Sequence, residues 1–263
     1  MKDFETLTLE RASKHVMVVY LDRPQARNAM NTQMGLDLRD LWQELYIDPG
    51  DLRCVVVTGR GDKAFCAGGD LKERNGMTDA QWQRQHAIFE QAVLALIECP
   101  IPVIAAVNGA AYGGGTEIAL CCDFIYAAQT ARFALPEITL GIIPGAMGTQ
   151  NLPRAVGERR AKEIILTGLP FSAEEGQQWG MVNRVCTGES LLEESLATAT
   201  RISENAPLST RRAKRVVSLA QEVDLHSGYA LELEAYNRLV PTEDRLEGVR
   251  AFNEKRKPDF KAR

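Results

Sequence analysis

Four short runs of mostly apolar residues set the frame of the first half of the chain. They are "VMVVYL" (16–21), "CVVVTG" (54–59), "PVIAAVNG" (102–109) and "DFIYAA" (123–128). Each reads as a buried strand, and glycine closes two of them. Segments with helical spacing stand between. Residues 32–46 bring Leu38, Leu41, Trp42 and Leu45 to one side, and 79–98 carry Trp82, Phe89, Val93, Leu96 and Ile97. Buried strands alternating with helices restrict the chain to an α/β fold whose sheet is mostly parallel and covered on both faces.

The second half has a different character. Ser172 followed by Glu175 is a capping box, and Pro207 suits the first position of a helix. From Gly157 onward helix follows helix, and no convincing strand is read. The expectation is an α/β body over 1–200 and a helical segment over 201–263. The helices expected at 224–239 and 243–256 are too few to bury their own apolar faces, so they must pack on the body or on another subunit.

Composition narrows the function. The net charge of −4 over 263 residues argues against a dedicated nucleic-acid binder. The end of the chain, "EKRKPDFKAR", is locally basic and offers a site for an anion or a solvated tail. Six cysteines stand without a C-x-x-C pair, which points to reduced thiols rather than a disulfide framework or a zinc site. No run of eighteen apolar residues exists to span a membrane, and the N-terminus lacks the apolar stretch of a targeting segment. The cytoplasm is the expected address.

The chemistry concentrates at "AYGGGTEIAL" (111–120). Glycines at a helix start let another molecule approach free backbone N–H groups, which favour negative charge. Neither a P-loop nor a dinucleotide fingerprint is present, so a nucleotide phosphate is the weaker guest and a developing oxyanion the stronger. Glu117 then enters a helix apolar on every side, where an ionised carboxylate must find hydrogen bonds or shift its pKa. It has the alternative of capping its own helix. Glu137 follows Pro136 at another helix start, where an acid is also a common preference. Two poorly solvated acids near each other would suit general acid–base work. "FCAGGD" (65–70) supplies a second small-residue loop.

These stretches, with "LDRPQARNAMN", "ARFALPEITLGIIPGAMGTQNLPRAVG" and "FNEKRKPDFK", resemble the crotonase (enoyl-CoA hydratase/isomerase) superfamily over nearly the whole chain. The resemblance implies a ββα superhelix with C-terminal helices that build trimers, often paired into hexamers. It implies an acyl-CoA thioester substrate, an enolate intermediate, and no metal or cofactor beyond the CoA of the substrate. It maps an oxyanion hole onto the N–H groups of Ala67 and Gly114. It gives Glu117 the water that attacks C3 and Glu137 the proton delivered to C2. The CoA would lie along Ala26, Arg27, Ala67, Gly68, Gly69, Asp70 and Leu71, with Phe252 and Lys255 contributed by a neighbouring subunit. Met147 stands where the superfamily often has glycine and is expected near the acyl site, where it would narrow the pocket or merely fill a gap. Asn151 departs from a common arginine. His15, His86 and His226 fall in no matched motif and read as surface or packing residues. Trp82 and Phe89 read as core or as acyl-pocket wall. Hydration of a 2-enoyl-CoA is the leading implication. A double-bond isomerase and a CoA- or RNA-binding homologue with little activity are the alternatives.

Overall fold

The computed structural model describes residues 3–263. Its ten strands are β1 (Leu7–Arg11), β2 (Val16–Leu21), β3 (Cys54–Gly59), β4 (Ala64–Cys66), β5 (Val103–Val107), β6 (Ala110–Tyr112), β7 (Phe124–Ala128), β8 (Arg132–Ala134), β9 (Phe171–Ser172) and β10 (Arg184–Cys186). The helices of the body are α1 (Thr32–Ile47), α2 (Leu71–Arg74), α3 (Asp79–Ile97), α4 (Gly114–Cys121), α5 (Gly148–Val156), α6 (Glu158–Thr167), α7 (Ala173–Gln178) and α8 (Leu191–Ser203). Three more complete the chain: α9 (Pro207–Leu219), α10 (Leu225–Leu239) and α11 (Glu243–Asn253).

The strands form two sheets. The larger runs β1-β2-β3-β5-β7-β10, with β1 antiparallel and every later pairing parallel. The smaller runs β4-β6-β8-β9, parallel until β9. Successive strands therefore alternate between sheets: β3, β5 and β7 go to the large one, and β4, β6 and β8 to the small one. This is the strand–strand–helix superhelix that the resemblance implied. The four apolar runs are the centre of the large sheet. β3 and β5 are buried along their whole length, which is why they show no polar alternation.

Helix ends follow their sequence signals. Asn31 accepts from Met34 N at 3.0 Å to start α1, Thr78 and Gln81 form a capping box at α3, and Ser172 and Glu175 form the expected one at α7. Pro207 sits in the first turn of α9. Helices α1 and α3 pack together through Met34, Leu38, Leu41 and Trp42 on one side and Phe89, Val93 and Leu96 on the other.

The expectation of no strand after Gly157 is corrected by β9 and β10. With two and three residues, they are too short for any periodicity to register, and only pairing with β8 and β7 defines them. The small sheet has the same property throughout, so the two glycine loops do not follow strands of one large sheet. They follow β4 and β6, which are paired parallel neighbours in the small sheet. After the body, α10 buries none of its residues and exposes Leu225, Tyr229, Leu233 and Tyr236. The tail is tied to the body through Arg53, whose two Nη groups donate to Ser203 O at 2.9 Å and Phe260 O at 2.7 Å.

Candidate active site

Because β4 and β6 are parallel and adjacent, the loops leaving their C-terminal ends meet. Gly115 is forced by that meeting: a Cβ there would lie 2.0 Å from the carbonyl oxygen of Cys66. Gly113 has φ +52° and would place a Cβ 2.9 Å from Glu137 Oε1. The triplet thus lets α4 start in contact with the other loop.

Hydrogen bonds then sort the amides of the β4 loop. Ala67 N–H donates to Arg27 O at 3.1 Å, and Asp70 N–H donates to Met30 O at 2.9 Å. Gly68 N–H donates to the sulfur of Cys66. Gly69 N–H has no acceptor among the described residues. Across from it Gly114 opens α4, so its N–H has no helical acceptor. A Cβ on Gly114 would lie 4.0 Å from the Gly69 nitrogen. The bare pair is Gly69 and Gly114, which corrects the expectation of Ala67. Ala67 is spent on holding the loop to the turn after β2, a bond that no sequence spacing shows.

Both glycines line a cavity of about 680 Å³. Its walls also include Met30, Leu71, Trp82, Phe89, Glu117 and Glu137. Glu117, 3% exposed, accepts at Oε1 from Ala146 N at 2.7 Å and Gly148 N at 2.9 Å. Those donors come from "PGAMGTQ", and Oε2 accepts from no described residue. Burial pushes the Glu117 carboxyl up to about 7, Glu137 adds to the rise, and the two amides oppose it. Glu137, 9% exposed, begins a single helical turn over Glu137–Leu140. Its Oε2 is buried and accepts from no described residue. Burial raises its pKa too. Two backbone donors favour the ionised form of Glu117, and the amide of Glu137 favours that of its own carboxyl, whose Oε2 is left without a partner among the described residues. Two carboxyls of raised pKa thus stand beside two bare N–H groups, which fits addition or proton transfer next to a carbonyl.

The remaining expected residues divide. Gly68, Gly69 and Leu71 line the cavity. Asp70 does not; it caps α2 through Lys72 N and pairs with Arg23 at 3.0 Å. Ala26 and Arg27 lie in the turn behind the loop, outside the cavity wall. Phe252, 83% exposed, and Lys255 lie at the end of α11, away from the cavity of their own chain. Met147 does not line the cavity, against expectation. Its φ of +72° aims the flanking amides at Glu117 and turns the side chain to the other side, into a groove with Leu120, Cys121 and Asn151. The frequent glycine at this position answers to that backbone rather than to acyl space.

Among the wall residues that escaped the sequence, three bear on the site. His86, expected at the surface or in packing, lines the cavity and lies 3.3 Å from Glu90. Its spacing of four and three from Trp82 and Phe89 on α3 was the available signal. Arg74 lines it as well, with no sequence signal beyond its nearness to the loop. Gly145 packs against the ring of His86. Trp82 and Phe89 both prove to be wall, with Phe89 also in the core. Among the described residues, no cluster of three or more His, Cys, Asp or Glu is placed to hold a metal ion, and no helix is long and apolar enough to cross a membrane.

Known proteins agree with this architecture. The enoyl-CoA hydratase/isomerase family profile matches residues 11–263. A crotonyl-CoA hydratase of Syntrophomonas wolfei is 40% identical over 258 residues, 98% of each chain. A mitochondrial enoyl-CoA hydratase of Pongo abelii is 41% identical, covering 98% of this chain and 89% of its own. The crystal structure of an enoyl-CoA hydratase from Bacillus anthracis superposes with a TM-score of 0.96 at 41% identity, over 98% of this chain and all of the other. Two sheets sharing alternate strands, the two glycine loops that meet between them, and likeness along the whole length place this chain in the enoyl-CoA hydratase/isomerase family of the crotonase superfamily.

Proposed function

We propose that the protein is an enoyl-CoA hydratase that adds water to a 2-enoyl-CoA and releases the 3-hydroxyacyl-CoA. The carrying observation is that Glu117 and Glu137 share one cavity with the bare amides of Gly69 and Gly114. The thioester oxygen lies against the two N–H groups, which stabilise the charge it gains as the enolate forms. Loss of one such donor typically costs about 3–4 kcal/mol in the transition state. Glu117 Oε2 takes a proton from water as its oxygen bonds to C3. Glu137 gives its proton to C2 as the enolate collapses. Hydroxyl and hydrogen are thus both added, and one proton passes back from Glu117 to Glu137 to reset the pair. Isomerisation needs one base to move a proton between two carbons, so a matched pair favours hydration.

No cofactor enters beyond the CoA of the substrate. Bare apolar residues along α10 support assembly as a trimer or a hexamer of paired trimers. In such an assembly the exposed Phe252 and Lys255 serve a neighbour's CoA. Six free, buried thiols suit a cytoplasmic address. The test is loss of conjugated-thioester absorbance from crotonyl-CoA. Glu117→Gln and Glu137→Gln are each expected to lower kcat by at least about a hundredfold. Near-normal turnover in either variant, or conversion of a 3-enoyl-CoA faster than hydration, refutes the assignment.

A further inference from the structure

Arg74 closes α2 with its guanidinium in the cavity wall. Its Cζ stands 4.2 Å from the Trp82 ring centre and 5.4 Å from that of Phe89. Nε donates to Gln85 Oε1 at 2.7 Å, while Nη1 and Nη2 donate to no described residue. The nearest acid in sequence is Glu73, whose charge favours the Arg74 cation without a direct bond to it: its Oε2 accepts from Thr32 N at 2.8 Å and Gln85 Nε2 at 2.7 Å. Glu117 is held by Ala146 and Gly148, and neither it nor Glu137 pairs with Arg74 among the described residues. Half-burial in this apolar wall lowers the pKa of Arg74.

A planar cation fixed on two aromatic rings, with one edge unpaired, is poorly suited to a hydrocarbon chain. A fatty acyl group would strip water from that edge and return nothing. A carboxylate would take both Nη groups in a fork. We propose that the acyl group carries a terminal carboxylate, so that the substrate is the 2-enoyl-CoA of a short dicarboxylic acid with Arg74 as its specificity residue. The chain is short because the guanidinium lies beside Gly69: a Cβ there would be 3.2 Å from Cζ and Nη1. The inference rests on reading the cavity as an acyl-CoA site.

Calorimetric binding of saturated, unreactive thioesters tests it: glutaryl-CoA against pentanoyl-CoA, and adipyl-CoA against hexanoyl-CoA. At least one carboxylated member is expected to bind about tenfold or more tighter than its uncharged partner. Arg74→Met is expected to erase that difference, and Arg74→Lys to keep part of it. Equal or weaker binding of both carboxylated thioesters by the unaltered protein overturns the inference, as does a preference that survives in Arg74→Met. The unaltered protein decides the first point whether or not the variants fold. Because these ligands do not react, the outcome is separate from the hydratase reading, which stands or falls on the turnover of enoyl thioesters.

Discussion

Glu117→Gln is expected to make the protein more stable at alkaline pH while removing its activity. The carboxyl has an ordinary value of 4.5 and is pushed up to about 7 by burial. At about 1.4 kcal/mol per pH unit, ionising it in the fold costs about 3 kcal/mol more than in the unfolded chain. The sign follows from the raised value. The carboxyl's contribution is fully present below pH 4.5 and is lost as pH rises through about 7. Glutamine cannot ionise, and its carbonyl can still accept from Ala146 and Gly148. One new amide donor is left to satisfy, at a cost of about 1 kcal/mol. The net expectation is a gain of about 2 kcal/mol at pH 8 and no gain, or a small loss, at pH 5. Urea unfolding at both pH values measures it, with crotonyl-CoA turnover followed in parallel. A variant less stable than the parent at pH 8, or a stability difference that does not change with pH, refutes the account of Glu117 as a strained buried base.

Further outcomes follow from the same geometry. The kcat/KM for a 2-enoyl-CoA should fall as pH drops through about 7, because Glu117 must be ionised to receive the proton; a flat profile between pH 5.5 and 8 counts against it. Gly115→Ala should lower the unfolding free energy by at least about 1–3 kcal/mol, read from the urea midpoint, since its methyl group would overlap the Cys66 carbonyl at 2.0 Å. Met147→Ala should leave the ranking of acyl chains by kcat/KM unchanged, because Met147 faces the groove behind Glu117 and not the cavity.

The centre of the large sheet was legible because β2, β3, β5 and β7 are buried on both faces, and such strands advertise themselves as unbroken apolar runs. The small sheet was not, since a strand of two or three residues holds no pattern and exists only through its neighbours. Glu117 and Glu137 could be singled out as acids in apolar surroundings. That they share a cavity depends on how three turns pack, which spacing does not contain. The shift from Ala67 to Gly69 has the same origin: Arg27 lies forty residues before Ala67, and its carbonyl decides which amide stays bare. Arg74 read as an ordinary charge because burial of a cation leaves no trace in sequence. Met147 was misread because a left-handed residue turns its side chain where a neighbour's position would not suggest.

The alternation of strands between the sheets separates two tasks along the chain. The amides and carboxylates sit at the ends of β4, β6 and β8 and in the loop before α5, where sheet register fixes them. Arg74, Trp82, His86 and Phe89 all belong to the excursion between β4 and β5, which leaves the lattice of strands and returns to it. Exchanging that one excursion between relatives would change the Arg74, Trp82, His86 and Phe89 side of the cavity while Glu117, Glu137 and the amide of Gly114 stay where the strands hold them.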